Sequence, residues 1–384
     1  MRMVSEWMKS VFGAGLAGAA LWTQVASAQP GPRGGIYDKP YLTGDETVKL
    51  GGYVDMQFQY TDPADSAGST SVFDQPRLVL FLFAEAMPQL HFSTEIEYQH
   101  GGTLEDGDEI AVDHMVVDYR FTDAFQARTG ILLSPLGRFN LVHDSPLNEL
   151  TDRPLVDQVI IPTTLSEAGV GLFGVVYPNK LAVFNYEAYL VNGFNEEIIA
   201  DSAGTVRIRG GRGIVGEDNN AGKAIVARFN YSPRLGLDLG LSAHHGKYDD
   251  AGTDHLTIVA ADLGLRRGPA EVLFEYAQAE VERSHLGLSK QTQQGYYLQG
   301  NLHFLQDKLR PGSTFTGVVR WDWIDFGIKG SADDRSSRLT FGLNFRPVEK
   351  AVIKTDFQTN WQEPVGGTHT LQDHRYLASV ALYF

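Results

Sequence analysis

The residues that could carry out chemistry are few, and their spacing works against it. The chain has no cysteine, which removes disulfides, thiolate metal sites and cysteine nucleophiles together. Gly13, Gly15 and Gly18 satisfy G-x-G-x-x-G. They sit in an apolar N-terminal run with no strand before them, so a dinucleotide has no scaffold there. "GEDNNAGKA" at 216–224 has five residues between Gly216 and Gly222 where a phosphate loop needs four. It reads as a flexible turn. His244 and His245 are adjacent, and neighbours in a strand point to opposite faces, so they cannot share one metal there. Neither H-E-x-x-H nor G-x-S-x-G occurs. No catalytic constellation, cofactor site or metal site is expected, and the chain does not read as an enzyme.

One stretch gathers charge in an unusual setting. Residues 135–166, "PLGRFNLVHDSPLNELTDRPLVDQVIIPTTLS", hold Arg138, His143, Asp144, Glu149, Asp152, Arg153 and Asp157. They also hold Leu136, Phe139, Leu141, Val142, Leu147, Leu150, Leu155, Val156, Val159, Ile160 and Ile161. A connection that long and that apolar packs against something. Charges held on such a segment act by their field on whatever passes, not by making bonds.

The elements that must position it are strands. From residue 46 onward, segments of about 10–14 residues alternate apolar and polar and break at Gly, Pro, Asn or Asp. The spacing predicts about sixteen strands: 48–60, 75–86, 90–100, 110–121, 125–134, 167–178, 181–192, 223–232, 235–247, 254–266, 270–281, 293–305, 313–325, 336–346, 350–361 and 373–384. In the fourteenth, Leu339, Phe341, Leu343 and Phe345 oppose Arg338, Thr340, Asn344 and Arg346. In the last, Tyr376, Ala378, Val380, Leu382 and Phe384 share one parity. Connections alternate between tight turns ("MPQ", "TDA", "PNK", "SPR", "RGP", "PVE") and longer, more acidic loops such as 193–222 and 282–292. Short turns at one end and long loops at the other mark an outer-membrane barrel. The expected fold is therefore an all-β transmembrane antiparallel β-barrel, with the 135–166 loop folded into the lumen. A loop across the mouth or at a subunit contact is the alternative. Tyr60, Trp321, Trp323, Trp361, Tyr383 and Phe384 are expected in interfacial girdles.

Bulk properties agree. The chain has 384 residues and a net charge of −15, which argues against a nucleic-acid partner. Residues 11–22 form a short apolar run, and Ala26-Ser27-Ala28 supplies small cleavage-site residues. Residues 1–28 thus read as a secretory signal peptide cut before Gln29, residues 29–47 as an irregular periplasmic segment, and residues 48–384 as the barrel. The acidic groups Glu105, Asp106, Asp108 and Glu109, and "YDDAGTD" at 248–254, read as solvated loop tips beside lipopolysaccharide. The predicted lumen face is mixed: Arg77, Arg128, Arg228, Arg320, Arg338, Arg346 and Lys354 against Asp55, Glu95, Glu97, Glu187, Asp322 and Asp356.

"ILLSPLGRFN", "HDSPLNELTDRP", "SEAGVGLFG", the first strand "KLGGYVDMQFQY" and the terminal "ALYF" together resemble the phosphate-selective porin O and P family. The resemblance implies a sixteen-stranded porin, typically a homotrimer, with the third external loop in the pore. A terminal aromatic like Phe384 resembles the signal read by the outer-membrane assembly machinery. The family's anion-selective members line the pore with bases. Here Asp144, Glu149, Asp152 and Asp157 outnumber Arg138 and Arg153 on the loop, so a weak cation preference is expected. The expected function is passive diffusion of small hydrophilic solutes or ions, with phosphate selectivity or a receptor role for loops 193–222 and 282–292 as alternatives.

Overall fold

The structure is a computed structural model and describes residues 39, 41–44, 47–65, 68–100, 109–213, 215–328, 335–363 and 369–384. The expected signal peptide, its cleavage site and the acidic residues 105–108 lie outside the described residues.

Sixteen long strands form one antiparallel sheet, joined by a two-residue strand, Thr43–Gly44. They are β1 (Val48–Pro63), β2 (Thr70–Met87), β3 (Leu90–Gln99), β4 (Glu109–Thr122), β5 (Phe125–Leu133), β6 (Ser166–Val176), β7 (Val183–Val191), β8 (Ala224–Arg234), β9 (Leu237–Lys247), β10 (His255–Arg267), β11 (Ala270–Val281), β12 (Gln291–Phe304), β13 (Thr314–Asp325), β14 (Arg335–Val348), β15 (Ala351–Glu363) and β16 (Thr370–Tyr383). Each pairs with the next, and β16 pairs back onto β1 from Asp373↔Pro63 to Tyr383↔Tyr53. The sheet is therefore a closed barrel, and closure leaves no strand edge without partners. Among the described residues no helix is long and apolar enough to cross a membrane.

The period-2 pattern decides which side chain faces which solvent. On β14, Phe341 and Leu343 are half exposed on the outer face, while Thr340 and Asn344 are fully buried inside. The same division runs along β15, where Lys354, Asp356 and Gln358 are buried and Ile353 is exposed. The tight turns are paid for by backbone freedom at glycine: Gly268, between β10 and β11, has φ +58°.

Three expectations differ from the structure. β2 begins at Thr70, five residues before the expected 75. Asp74 and Pro76 look like breakers, but the register shifts between Asp55 and Gln57 of β1, and the resulting bulge holds Gln75 and Pro76. Tyr383 is not in an outer girdle. Its neighbours Leu382 and Phe384 face out, so it must face in, and it is buried. Phe384 stays outside, its ring laid over Gly52, where a Cβ would sit 2.7 Å from it. Finally, the 193–222 connection is not a free external loop. Phe194, Ile198, Val206 and Ile208 are buried in an apolar cluster inside the barrel.

The 283–290 connection does stay at the surface, and the Lys290 side chain is 61% exposed. Lys180 lies in the tight turn at the opposite end of the barrel. Trypsin added to intact cells should cut after Lys290 and leave Lys180 whole. Cleavage at Lys180 without lysis would invert the topology.

Candidate pore constriction

The segment from Ser134 to Leu165 leaves β5 and returns to β6 across the inside of the barrel. Its two roots are tied together by Asn140. The Asn140 amide donates to the Ser134 and Leu165 carbonyls at 2.8 and 3.2 Å and accepts from the Leu165 N–H at 2.9 Å. Gly137 then turns with φ +70° so close to the wall that a Cβ would meet Glu275 Oε1 at 2.0 Å. Its N–H donates to Ser242 of β9 at 2.9 Å, and the Arg138 and Phe139 N–H groups donate to the Glu275 carboxylate of β11 at 3.0 and 3.1 Å.

Further along, the segment hangs on the wall mostly by its backbone. Lys354 Nζ of β15 donates to the Ser145 and Leu150 carbonyls at 2.9 and 3.3 Å. Arg346 donates to the Pro146 carbonyl at 2.7 Å and pairs with Glu149 at 3.2 Å. Asp356 accepts the Thr151 N–H at 2.6 Å. Arg320 of β13 donates to the Asp152 and Arg153 carbonyls at 3.1 and 3.3 Å, and Arg338 of β14 donates to the Arg153 carbonyl and pairs with Asp152 at 3.2 Å. Asp322 accepts the Leu155 N–H at 2.9 Å and pairs with Arg320 and Arg338 at 2.9 and 3.3 Å. Charge-assisted bonds of this kind are roughly twice as strong as neutral ones. A short helix follows, α1 (Leu155–Val159).

Beyond α1, the contact is apolar. Val156, Ile160 and Ile161 pack with Ile258, Ala277, Tyr297 and Ile324 on the inner wall and with Phe194, Ile198, Val206 and Ile208 from the 193–213 connection. Polar contacts reinforce that junction: Arg209 and Arg212 donate to the Thr163 and Thr164 carbonyls at 2.8 and 3.0 Å. The upper inner wall is therefore apolar where an open aqueous barrel would be polar. At the mouth, outside the strands, Asp254 accepts from Ser284 and from the His285 N–H and ring. Burial alone would raise its pKa, but these bonds outweigh burial and hold it below the ordinary carboxylate range.

The expected site residues thus separate into groups. Arg320, Asp322, Arg338, Arg346, Lys354 and Asp356 face inward as read from parity, and they hold the segment. Arg128 pairs with Asp118 at 2.7 Å beside Glu187, and Arg228 pairs with Asp262 at 2.7 Å; both are wall-to-wall pairs. Asp55, Arg77, Glu95 and Glu97 lie on β1, β2 and β3 and face inward. On the segment itself, Arg138, Glu149, Asp152 and Arg153 keep partial exposure, whereas His143, Asp144 and Asp157 are buried. The four acids therefore do not all present themselves to water. Glu275 and Asn140 went unread in the sequence; Ser242 and Asn344 were read only as polar-face residues of their strands, and the 193–213 connection was read as part of an external loop. For that connection the signal was present: Phe194, Ile198, Ile199, Val206 and Ile208 are as apolar as the 135–166 stretch.

No protein-family model matches the chain. An uncharacterized protein of Aquifex aeolicus (strain VF5) is 27% identical over 339 residues, covering 81% of this chain and 75% of that protein. Among solved structures, the anion-selective porin from Comamonas acidovorans superposes with TM-score 0.61 at 12% identity, over 88% of this chain and 99% of that one. The Salmonella typhi OmpF complex with daunomycin gives 0.58 at 10%, over 90% and 100%. The outer membrane channel DcaP of Acinetobacter baumannii gives 0.56 at 11%, over 88% and 97%. The fold is that of the sixteen-stranded outer-membrane porins. In this closed barrel the 134–165 segment crosses the lumen, and the 193–213 connection packs against it.

Proposed function

We propose that the protein is an outer-membrane porin that passes small hydrophilic solutes or ions by passive diffusion, with the 134–165 segment setting the aperture. The observation that carries this reading is the crossing segment itself, fastened to the inner wall of a closed barrel through β9, β11 and β13–β15. A cleaved signal peptide, assembly through the terminal Phe384, contact with lipid and lipopolysaccharide, and a homotrimer belong to the same reading. The half-exposed outer residues Tyr376, Val380, Leu382 and Phe384 support the lipid contact.

Selectivity follows from which charges are left over. Arg320, Arg338, Arg346 and Lys354 spend their donors on the segment's carbonyls and carboxylates. A phosphate path would need such bases free. The pairs around the segment nearly cancel, and Asp152, which keeps partial exposure beside them, tips the lumen toward cations. The preference is weak. Asp152 is the most accessible acid of the segment among those in ion pairs, at 26%. Asp152→Asn should shift the reversal potential in asymmetric KCl toward anions, changing the permeability ratio about twofold. Neutralising the exposed Glu217 should leave it in place, because salt screens exposed charges over roughly 8–10 Å. A strongly anion-selective wild type with a phosphate-blockable current would replace this reading with the family's phosphate selectivity. Absence of discrete conductance steps in planar bilayers would overturn the channel itself.

A further inference from the structure

One acid of the crossing segment takes no part in fastening it to the wall. Asp157 lies on the buried face of α1, wholly out of contact with solvent. That helix packs on β11, β12 and β13 and against residues 208–211 of the 193–213 connection. Val156, Ile160, Ala277, Tyr297 and Ile324 make the junction apolar. Both carboxylate oxygens of Asp157 are closed off from water and accept no hydrogen bond.

The charged and titratable groups around it are committed to other partners. On β11, Glu275 accepts the Arg138 and Phe139 N–H groups at 3.0 and 3.1 Å, and Tyr297 of β12 donates to it at 3.4 Å. On β13, Asp322 is held between Arg320 and Arg338, and Arg320 also donates to the Asp152 and Arg153 carbonyls. Arg153 of the segment donates to the Thr163 carbonyl, and Arg209 of the 193–213 connection donates to the same oxygen. Asp157 thus meets two further acids, Glu275 and Asp322, and accepts from none of the bases.

An ionised carboxylate in that place has neither water nor a donor, so its charged form is strongly disfavoured and its neutral form is not. α1 lies outside the membrane-spanning strands. Burial, and after it the Glu275 charge, push the Asp157 carboxyl well above its ordinary range, against the pull of Arg320 and Arg153. Off the wall, in water, the same carboxyl titrates as an ordinary aspartate, near about 3.9. Seated α1 therefore keeps the proton over a range of pH in which released α1 has lost it. Rising pH favours release, about tenfold for each unit between the two values, and acid favours the seat.

We propose that Asp157 is a proton-held latch: while its carboxyl keeps a proton, α1 stays seated on the inner wall, and loss of that proton releases α1 and widens the aperture. The effect on current rests on the proposed function of the segment. The latch itself does not.

The full mature chain in detergent and in planar bilayers tests both parts. The chain has no cysteine, so a nitroxide on Gln158→Cys reports α1 alone. Between about pH 5 and about pH 9 its mobility and the single-channel conductance should both rise, the released fraction growing by up to about tenfold per unit. Asp157→Asn, neutral at every pH, should lose both rises, while Asp254→Asn at the mouth should keep them. Infrared difference spectra at neutral pH should show a protonated-carboxyl band in wild type that Asp157→Asn lacks. Mobility that rises without a change in current upholds the latch and overturns the aperture reading instead. A rise that survives Asp157→Asn, or that Glu275→Gln abolishes and Asp157→Asn does not, overturns the proposal. Should Asp157→Asn fail to fold, wild type decides alone: mobility independent of pH overturns the latch.

Discussion

Replacing Asp322 by alanine should destabilise the barrel by about 3–5 kcal/mol, the usual cost of stripping a buried charge pair of one partner, and should raise the single-channel conductance. Asp322 is fully buried between Arg320 and Arg338 and also accepts the Leu155 N–H. Without it, two buried guanidiniums lose their shared counter-charge and α1 loses its tie to β13. The segment is then free to swing from that wall, so current should rise and become noisier. Asp322→Asn keeps an acceptor for Leu155 and should show a smaller rise. Denaturant unfolding and planar-bilayer recordings check both halves. Lost stability with unchanged conductance would mean that the segment does not set the aperture.

Phe341→Arg should cost about 2–4 kcal/mol of folding stability in lipid vesicles, the range for a base at the bilayer midplane. Phe341 is near the middle of β14 and half exposed on the outer face. Leu265→Arg, near the end of β10, should cost only about 0–1 kcal/mol, because the charge reaches the interface. Urea unfolding of vesicle-inserted protein gives both values. Equal costs at the two positions would mean that the outer face does not meet a hydrocarbon layer of the expected thickness.

The barrel was legible because its rule is local. A strand with different solvents on its two faces writes that difference into alternate residues, as β9, the 338–346 stretch of β14 and the first half of β15 do. The inward charges followed from the same parity. The crossing segment was legible from its apolar content, which needed a surface to meet. What escaped was everything set by the third dimension. Nothing in the sequence spacing links Asp322 to Leu155, or Gly137 to Glu275; contacts with the wall bring them together. Tyr383 was misplaced because its aromatic ring suggested a girdle while its parity said the reverse. The 193–222 connection was misjudged because length was weighed above composition: Ile198 and Ile208 needed burial as much as Ile160 did. The acid count on the segment misled for a related reason. A sequence gives charges, but exposure decides which of them an ion meets, and Asp157 is sealed on the buried face of α1.

The inner wall grips the crossing segment chiefly by main-chain carbonyls, at Ser145, Pro146, Leu150, Asp152 and Arg153. Every amino acid brings that same oxygen. Side chains at these positions can therefore drift over generations while the suspension survives, whereas Arg320, Arg338, Arg346 and Lys354 have little freedom to vary. On the proposed function, such a barrel separates two inheritances: a conservative frame, and an aperture that single substitutions can reshape.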